Sequence, residues 1–312
     1  MTRAARAAGA SPILRTGRIV ATYGRHATVE DDSGARVRCH PRGKRLDAVV
    51  GDWVDWSAAG DEGVIERVHE RRCVLFRQDA ERTKTLAANI DQVLVLLAAE
   101  PVFSEAQLAR ALIAARAAGV PALIALNKRD VQPAFDAAWA RLAPYRAMGE
   151  VVLPLQLRDA HDDTGLSALL TRLHDCATLV MGPSGTGKST LINRLVPEAQ
   201  VQTQTISHAL GTGRHTTTRS TWYWLDGDRR SALIDSPGFH EFGLHHLEPE
   251  QLAALMPDLQ PFLGQCRFHN CTHRQEPGCA VRAAVAPDGR ITPGRWQLYV
   301  TLYEELRAAR RF

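Results

Sequence analysis

The chain has 312 residues, 45% of them hydrophobic and 23% charged, which suits two or three globular domains with buried cores. Its formal charge of +4 permits a nucleic-acid partner without demanding one, because many cytosolic proteins are this basic. The longest apolar run, Val93 to Ala99, is far too short for a membrane span and reads as a buried parallel strand.

Residues 1–15 open with MTRAARAAGASP, small and arginine-bearing, without the apolar region of a secretory signal. They are expected to form a disordered basic tail. Over 16–77 the segments GRIVATYG, HATVED, ARVRCH, DWVDWSA and EGVIERVHE alternate β-branched and polar residues at period two, broken by Gly24 and the turn from Asp31 to Gly34. Several short strands in so little chain predict a small barrel, with the OB-fold as the leading candidate. Arg36, Arg38, Arg42, Lys44 and Arg45 put positive charge near one loop. They read either as a nucleic-acid contact or as a solvated basic loop.

Over 78–246 strands alternate with helices. IDQVLVLLAA, VPALIALN, a strand near Val151 to Leu155 and ATLVMG are strands; SEAQLARALIAARAAG, a stretch near Phe135 to Met148 and one from about Thr164 are helices. That rhythm predicts a parallel sheet covered on both faces. Gly182-Pro183-Ser184-Gly185-Thr186-Gly187-Lys188-Ser189-Thr190 fits G-x-x-x-x-G-K-[ST] between the last of those strands and a helix over 188–196. This is the context the phosphate-binding motif requires. The glycines let successive N–H groups curl toward phosphate oxygens, and the helix N-terminus adds its dipole. Lys188 is expected to reach the β- and γ-phosphates, and Ser189 to ligate magnesium.

Asn127-Lys128-Arg129-Asp130 ends an apolar strand in the form N-K-x-D. A carboxylate there can accept two hydrogen bonds from the edge of guanine, and adenine would leave it unpaired, so the site selects guanine by rejection. Asn127 is expected to hold the loop, and the stem of Lys128 to lie across the base. Asp235-Ser-Pro-Gly238 ends another short strand. Asp235 would hold magnesium through water, and the Gly238 N–H would sense the γ-phosphate. Between the two phosphate elements lies Gly213-Arg-His-Thr-Thr-Thr218, where Thr217 is the candidate to complete the magnesium shell. N-K-x-D precedes the phosphate loop here, the reverse of a Ras-like chain. The same sheet can form from a circularly permuted chain, because domain termini often lie close together.

Over 247–312 the rhythm stops. A helix from Pro249 to Met256, a cysteine cluster and a final helix from Arg295 to Arg310 are expected. Cys266, Cys271, His273 and Cys279 supply three thiolates and an imidazole, a closed donor set for one structural zinc, with His269 a nearby alternative. Cys39, Cys73 and Cys176 stand alone and read as buried small hydrophobes.

GPSGTGKST, GRHTTT, DSPGF and CRFHNCTHRQEPGCAV, in this permuted order, together resemble the ribosome small-subunit-dependent GTPases of bacteria, the RsgA (YjeQ/EngC) family, over nearly the whole chain. The resemblance implies an α/β chain made of an OB barrel, a permuted GTPase and a mostly helical zinc domain. It implies ribosome-stimulated GTP hydrolysis during late maturation of the small subunit. Contact with its rRNA, a cytoplasmic location and a monomeric state are further expectations. Two departures stand out. Leu155-Gln156-Leu157-Arg158 replaces the loop that usually carries a Ser-Ala pair beneath guanine. Phe239 stands where Ras-like enzymes place a water-orienting glutamine, which leaves His215 as the catalytic candidate or as a structural or rRNA contact. The competing readings are a nucleic-acid-binding switch with incidental hydrolysis and an ATP-using enzyme; Asn127 and Asp130 disfavour the latter.

Overall fold

The computed structural model describes residues 13–43, 47–78, 83–158, 164–201, 220–236 and 243–310. The five period-two segments form strands β1 (Leu14–Tyr23), β2 (His26–Glu30), β3 (Arg36–Pro41), β4 (Trp53–Ala59) and β5 (Glu62–Val68). β1–β2, β2–β3, β4–β5 and β1–β4 pair antiparallel, and β3 closes the ring by pairing parallel with β5. Closure covers most of the edges that an open sheet of this size would expose, leaving β1 beyond Arg18 to pair elsewhere. Ile19, Val29, Cys39, Val54 and Trp56 fill the interior, each at most 1% exposed. The result is the five-stranded, OB-like barrel that the alternation predicts.

A two-stranded hairpin, β6 (Val74–Gln78) and β7 (Thr83–Ala88), leads out of the barrel. Next come β8 (Gln92–Ala98), α1 (Glu105–Ala117), β9 (Ala122–Asn127), α2 (Ala134–Arg141), α3 (Ala143–Ala147), β10 (Val151–Pro154), α4 (Thr164–Leu173), β11 (Ala177–Met181), α5 (Lys188–Leu195), β12 (Thr221–Trp224) and β13 (Ala232–Asp235). The expected helix near 135–148 is therefore two helices, with Leu142 between them and Pro144 in the first turn of the second. Proline is tolerated in a first turn but not in a helix interior, so the boundary falls there.

The strand order is β10-β9-β8-β11-β13-β12, parallel except for β12. β11, which carries the phosphate loop, is central in space although it comes late in the chain. Alternation along β8 sorts the two layers. Val93, Val95 and Leu97 pack with Leu108 and Leu112 of α1, whereas Leu94 and Leu96 pack with Leu169 of α4 and Leu191 of α5. Both faces are thus covered, as a parallel sheet requires.

Barrel and sheet are continuous. β1 gives one edge to β4 as far as Arg18, and the same edge then meets β12 at Ala21 and Thr221. The C-terminal region holds α6 (Ala280–Ala283) and α7 (Pro293–Ala309). The helix expected over 249–256 is instead two short 3-10 turns, Pro249–Gln251 and Ala253–Leu255. This region is bolted to the sheet's helices. Arg295 of α7 grips Asp258 through two bonds of 2.8 and 3.1 Å and reaches the Tyr145 hydroxyl of α3. Arg110 of α1 meets Glu305 of α7 at 2.6 Å. No helix among the described residues is long and apolar enough to cross a membrane.

Candidate nucleotide site and metal centre

The phosphate loop leaves β11 at Gly182. A Cβ there would sit 2.1 Å from the carbonyl oxygen of Leu96, so only glycine lets the loop turn this close to β8. Gly187 has φ 103°, and a Cβ on it would meet the Asn127 Nδ2 at 2.5 Å. Past it, α5 starts with no side-chain cap on its first N–H groups, which leaves those donors for an anion. Ser189 and Thr190 lie half-buried in this first turn, and Ser184 is exposed at the loop tip.

Lys188 folds back over the loop. Its ammonium donates to the carbonyls of Gly182 and Pro183, both at 2.7 Å. Burial pushes its pKa down, and Asp235 pulls it back up. Asp235 ends β13 beside β11, only 4% exposed. Burial raises the pKa of its carboxyl and Lys188 opposes the rise. A cation and an anion poorly solvated in one pocket are suited to exchange loop carbonyls for phosphate oxygens and a divalent cation.

Asn127 is the hub of the base side. Buried at the end of β9, it donates through Nδ2 to the Thr186 carbonyl at 2.9 Å, and its Oδ1 accepts from the Leu157 N–H at 3.0 Å. One amide thereby ties N-K-x-D both to the phosphate loop and to the loop over Leu155–Arg158. Arg129 N–H adds a bond to the Leu155 carbonyl at 3.1 Å. Lys128 has a positive φ of 66° and its ammonium donates to the Glu100 carbonyl. Asp130 is exposed. Asn127, expected to hold its own loop, has its partners in two other loops. The Leu155–Arg158 loop contributes a backbone N–H and a carbonyl to the network. His215, Thr217, Gly238 and Phe239 lie outside the described residues.

In the C-terminal region Cys266, Cys271, His273 and Cys279 converge, with all four ligand atoms within 4.8 Å of one another. Cys266 Sγ is 3.4 Å from His273 Nδ1 and 3.9 Å from Cys279 Sγ. All six cysteines are free thiols, and His269 is not in the cluster. The donor set can hold a metal ion: it has the number, softness and convergence of a closed tetrahedral site. Its frame is fixed by Trp296, whose indole donates to the His273 carbonyl at 3.0 Å, and by the Tyr299 hydroxyl on the Thr272 carbonyl at 2.8 Å. Of the lone cysteines, Cys39 is buried, while Cys73 and Cys176 are half-exposed, so the buried reading holds for the first alone.

The basic patch differs from expectation. Arg36 pairs with Glu30 at 2.7 Å, Arg38 with Glu62 at 3.5 Å and Arg42 with Glu66 at 2.5 Å. Cross-strand carboxylates thus offset the charge of these three, and Lys44 and Arg45 lie outside the described residues.

A model of the RsgA GTPase family matches residues 68–245. The small ribosomal subunit biogenesis GTPase RsgA of Variovorax paradoxus (strain S110) is 53% identical over 310 residues, covering 98% of this chain and 97% of that one. Its counterpart in Paraburkholderia xenovorans (strain LB400) is 50% identical over 295 residues, covering 93% and 92%. Among solved structures, YjeQ from Thermotoga maritima superposes with a TM-score of 0.72 at 26% identity, over 95% of this chain and 99% of its own. YloQ, described as a circularly permuted GTPase, gives 0.68 at 26% identity, over 95% and 96%. A phosphate loop late in the chain, an N-K-x-D strand ahead of it and relatives aligned almost end to end make one assignment: the chain is a GTP-hydrolysing enzyme that belongs to the RsgA GTPase family.

Proposed function

We propose that this protein binds the small ribosomal subunit, acts in its late maturation, and hydrolyses GTP to GDP and phosphate at a rate the subunit stimulates. The observation that carries the reading is the bond pair of Asn127, which joins a guanine-type loop to a phosphate loop across a permuted sheet. The near full-length likeness to proteins named for small-subunit biogenesis supports the partner. In this reading Asp130 accepts from the edge of guanine, with Asn127, Lys128 and Arg129 shaping its loop. The segment Gly182 to Thr190 wraps the phosphates, and Lys188 offsets their charge. Ser189, Thr217 and Asp235 would hold magnesium, which when bound neutralises the β- and γ-phosphate oxygens. Gly238 reports the γ-phosphate, and His215 is the candidate to orient the attacking water, since Phe239 cannot. Cys266, Cys271, His273 and Cys279 hold one structural zinc. The working division is a tail to 15, whose last two residues, Leu14 and Arg15, already pair in β1, a barrel over 16–77, a GTPase over 78–246 and a zinc region over 247–312, in a cytoplasmic monomer contacting rRNA.

The test is GTP turnover titrated with purified small subunits, compared with large subunits and with none. Stimulation by small subunits alone is the expected result. Turnover indifferent to either subunit would remove the ribosomal role and leave a GTPase with another partner.

A further inference from the structure

Barrel and sheet border between them an open pocket of about 410 Å³, within the ~300–1,000 Å³ range of small-ligand sites. None of its lining residues belongs to the phosphate loop, N-K-x-D or the cysteine cluster. Trp53 of β4 lines it from the barrel, and Trp222 and Trp224 of β12 from the sheet, with Arg18 among them. The guanidinium carbon of Arg18 lies 4.5 Å from the ring centres of both Trp53 and Trp222, and 5.9 Å from that of Trp224.

Arg18 differs from its neighbours in forming no ion pair among the described residues, although Asp91 and Glu70 line the same pocket. Arg72 meets Asp91 at 2.7 Å and Arg230 meets Asp175 at 2.6 Å, while Arg229 donates to the Ser33 carbonyl at 3.0 Å. The nearby Glu30 is already engaged by Arg36 at 2.7 Å and by the Trp224 indole N–H at 2.6 Å. Among the described residues Arg18 makes only its ring contacts. A guanidinium carries five in-plane N–H donors and stays charged in proteins. Burial pushes its pKa down, and Asp91 and Glu30 pull it back only in part. A desolvated cation with idle donors favours an anion, and the indoles beside it favour a flat aromatic ring. A simple carboxylate would use only the first of these features. A nucleotide uses both, because every base has a face that stacks on an aromatic side chain.

We infer that this pocket is a second nucleotide site, which takes one nucleoside phosphate unit with its phosphate on Arg18 and its base against Trp53 and Trp224. The unit can come from a free nucleotide or from a single-stranded stretch of RNA.

The experiment uses the full chain saturated with GDP, so that the guanine site is occupied. Adenosine monophosphate and an unstructured ten-nucleotide RNA are titrated separately, with indole N–H signals followed by nitrogen-15 NMR. The expected result is saturable shifts of Trp53, Trp222 and Trp224. Arg18→Gln and, independently, Trp224→Leu should each weaken binding by roughly tenfold, inside the range that loss of one base stack produces. Their GDP affinity should be unchanged. Shifts with both probes assign the site to free nucleotides, and shifts with the RNA alone assign it to an RNA strand; either supports the inference. It is overturned if neither probe moves the three signals in the wild-type chain. It is equally overturned if inorganic phosphate binds as well as the nucleotide, or if both variants keep wild-type GDP affinity and bind the probes as the wild type does.

Discussion

Replacing Asn127 with alanine removes a side chain whose two bonds, to the Thr186 carbonyl and the Leu157 N–H, are both buried. The alanine leaves one orphaned acceptor and one orphaned donor, each costing about 1–3 kcal/mol when shut off from water. Water entering the vacated volume recovers part of this, so the expected loss of unfolding free energy is about 2–4 kcal/mol. The loss should be larger than the removal of three heavy atoms suggests, because three loops lose their common tie. GDP affinity should fall at least tenfold, ~1.4 kcal/mol, since the phosphate and guanine loops no longer hold each other in register. Asn127→Asp gives a sharper test. It keeps the acceptor toward Leu157 but turns a carboxylate oxygen toward the Thr186 carbonyl, so at neutral pH it should be worse than alanine despite its near-identical shape. Denaturant unfolding of the nucleotide-free protein and titration calorimetry with GDP read the two effects separately. If the alanine variant stays within ~0.5 kcal/mol of wild type in both, the amide is not a structural tie and the reasoning fails.

Asp130→Asn should shift preference away from guanine nucleotides in competition binding, because an amide presents a donor to the ring N–H; unchanged selectivity would remove Asp130 as the base reader. Elemental analysis should find one zinc per chain, and Cys271→Ser should release it and loosen the region around α6; a metal-free protein of full stability would contradict this. Asp55 has its pKa held below 3.8 chiefly by a hydrogen bond from His69, then by Arg67 and Thr16. A depressed carboxyl stabilises the fold above its unfolded pKa and loses that effect as pH falls through the folded value. Asp55→Asn should therefore be less stable than wild type at pH 7, with the gap narrowing below about pH 4; a gap independent of pH would rule out this ionic origin.

What could be read from the chain was local. The phosphate loop, N-K-x-D and the cysteine cluster each place their chemistry within a few consecutive residues, and the parallel strands announce themselves as unbroken apolar runs. What could not be read depended on register. Arg36, Arg38 and Arg42 look like free charge until the pairing of β2, β3 and β5 sets glutamates beside them. The two partners of Asn127 lie 59 and 30 positions away, so no window of sequence contains the network. β12 is four residues long, too short for alternation to register. The expected 249–256 helix failed because apolar spacing alone cannot separate an α-helix from successive 3-10 turns. Trp222 and Trp224 carry no signal at all until β12 is laid against β1.

The seam between those two strands bears on how the chain is made. All five barrel strands lie before residue 69, yet the edge they leave open at Ala21 is covered by Thr221. At ~5–20 residues per second a growing chain emits the barrel roughly 8–30 s before β12 appears, whereas small β-barrels close within milliseconds to seconds. The nascent barrel is thus finished first and waits with one strand edge exposed. The antiparallel edge of the nucleotide-binding sheet then docks onto a solid template and does not have to search for a partner. Deleting the barrel would remove that template and leave β12 an open edge, the kind of surface through which sheets aggregate.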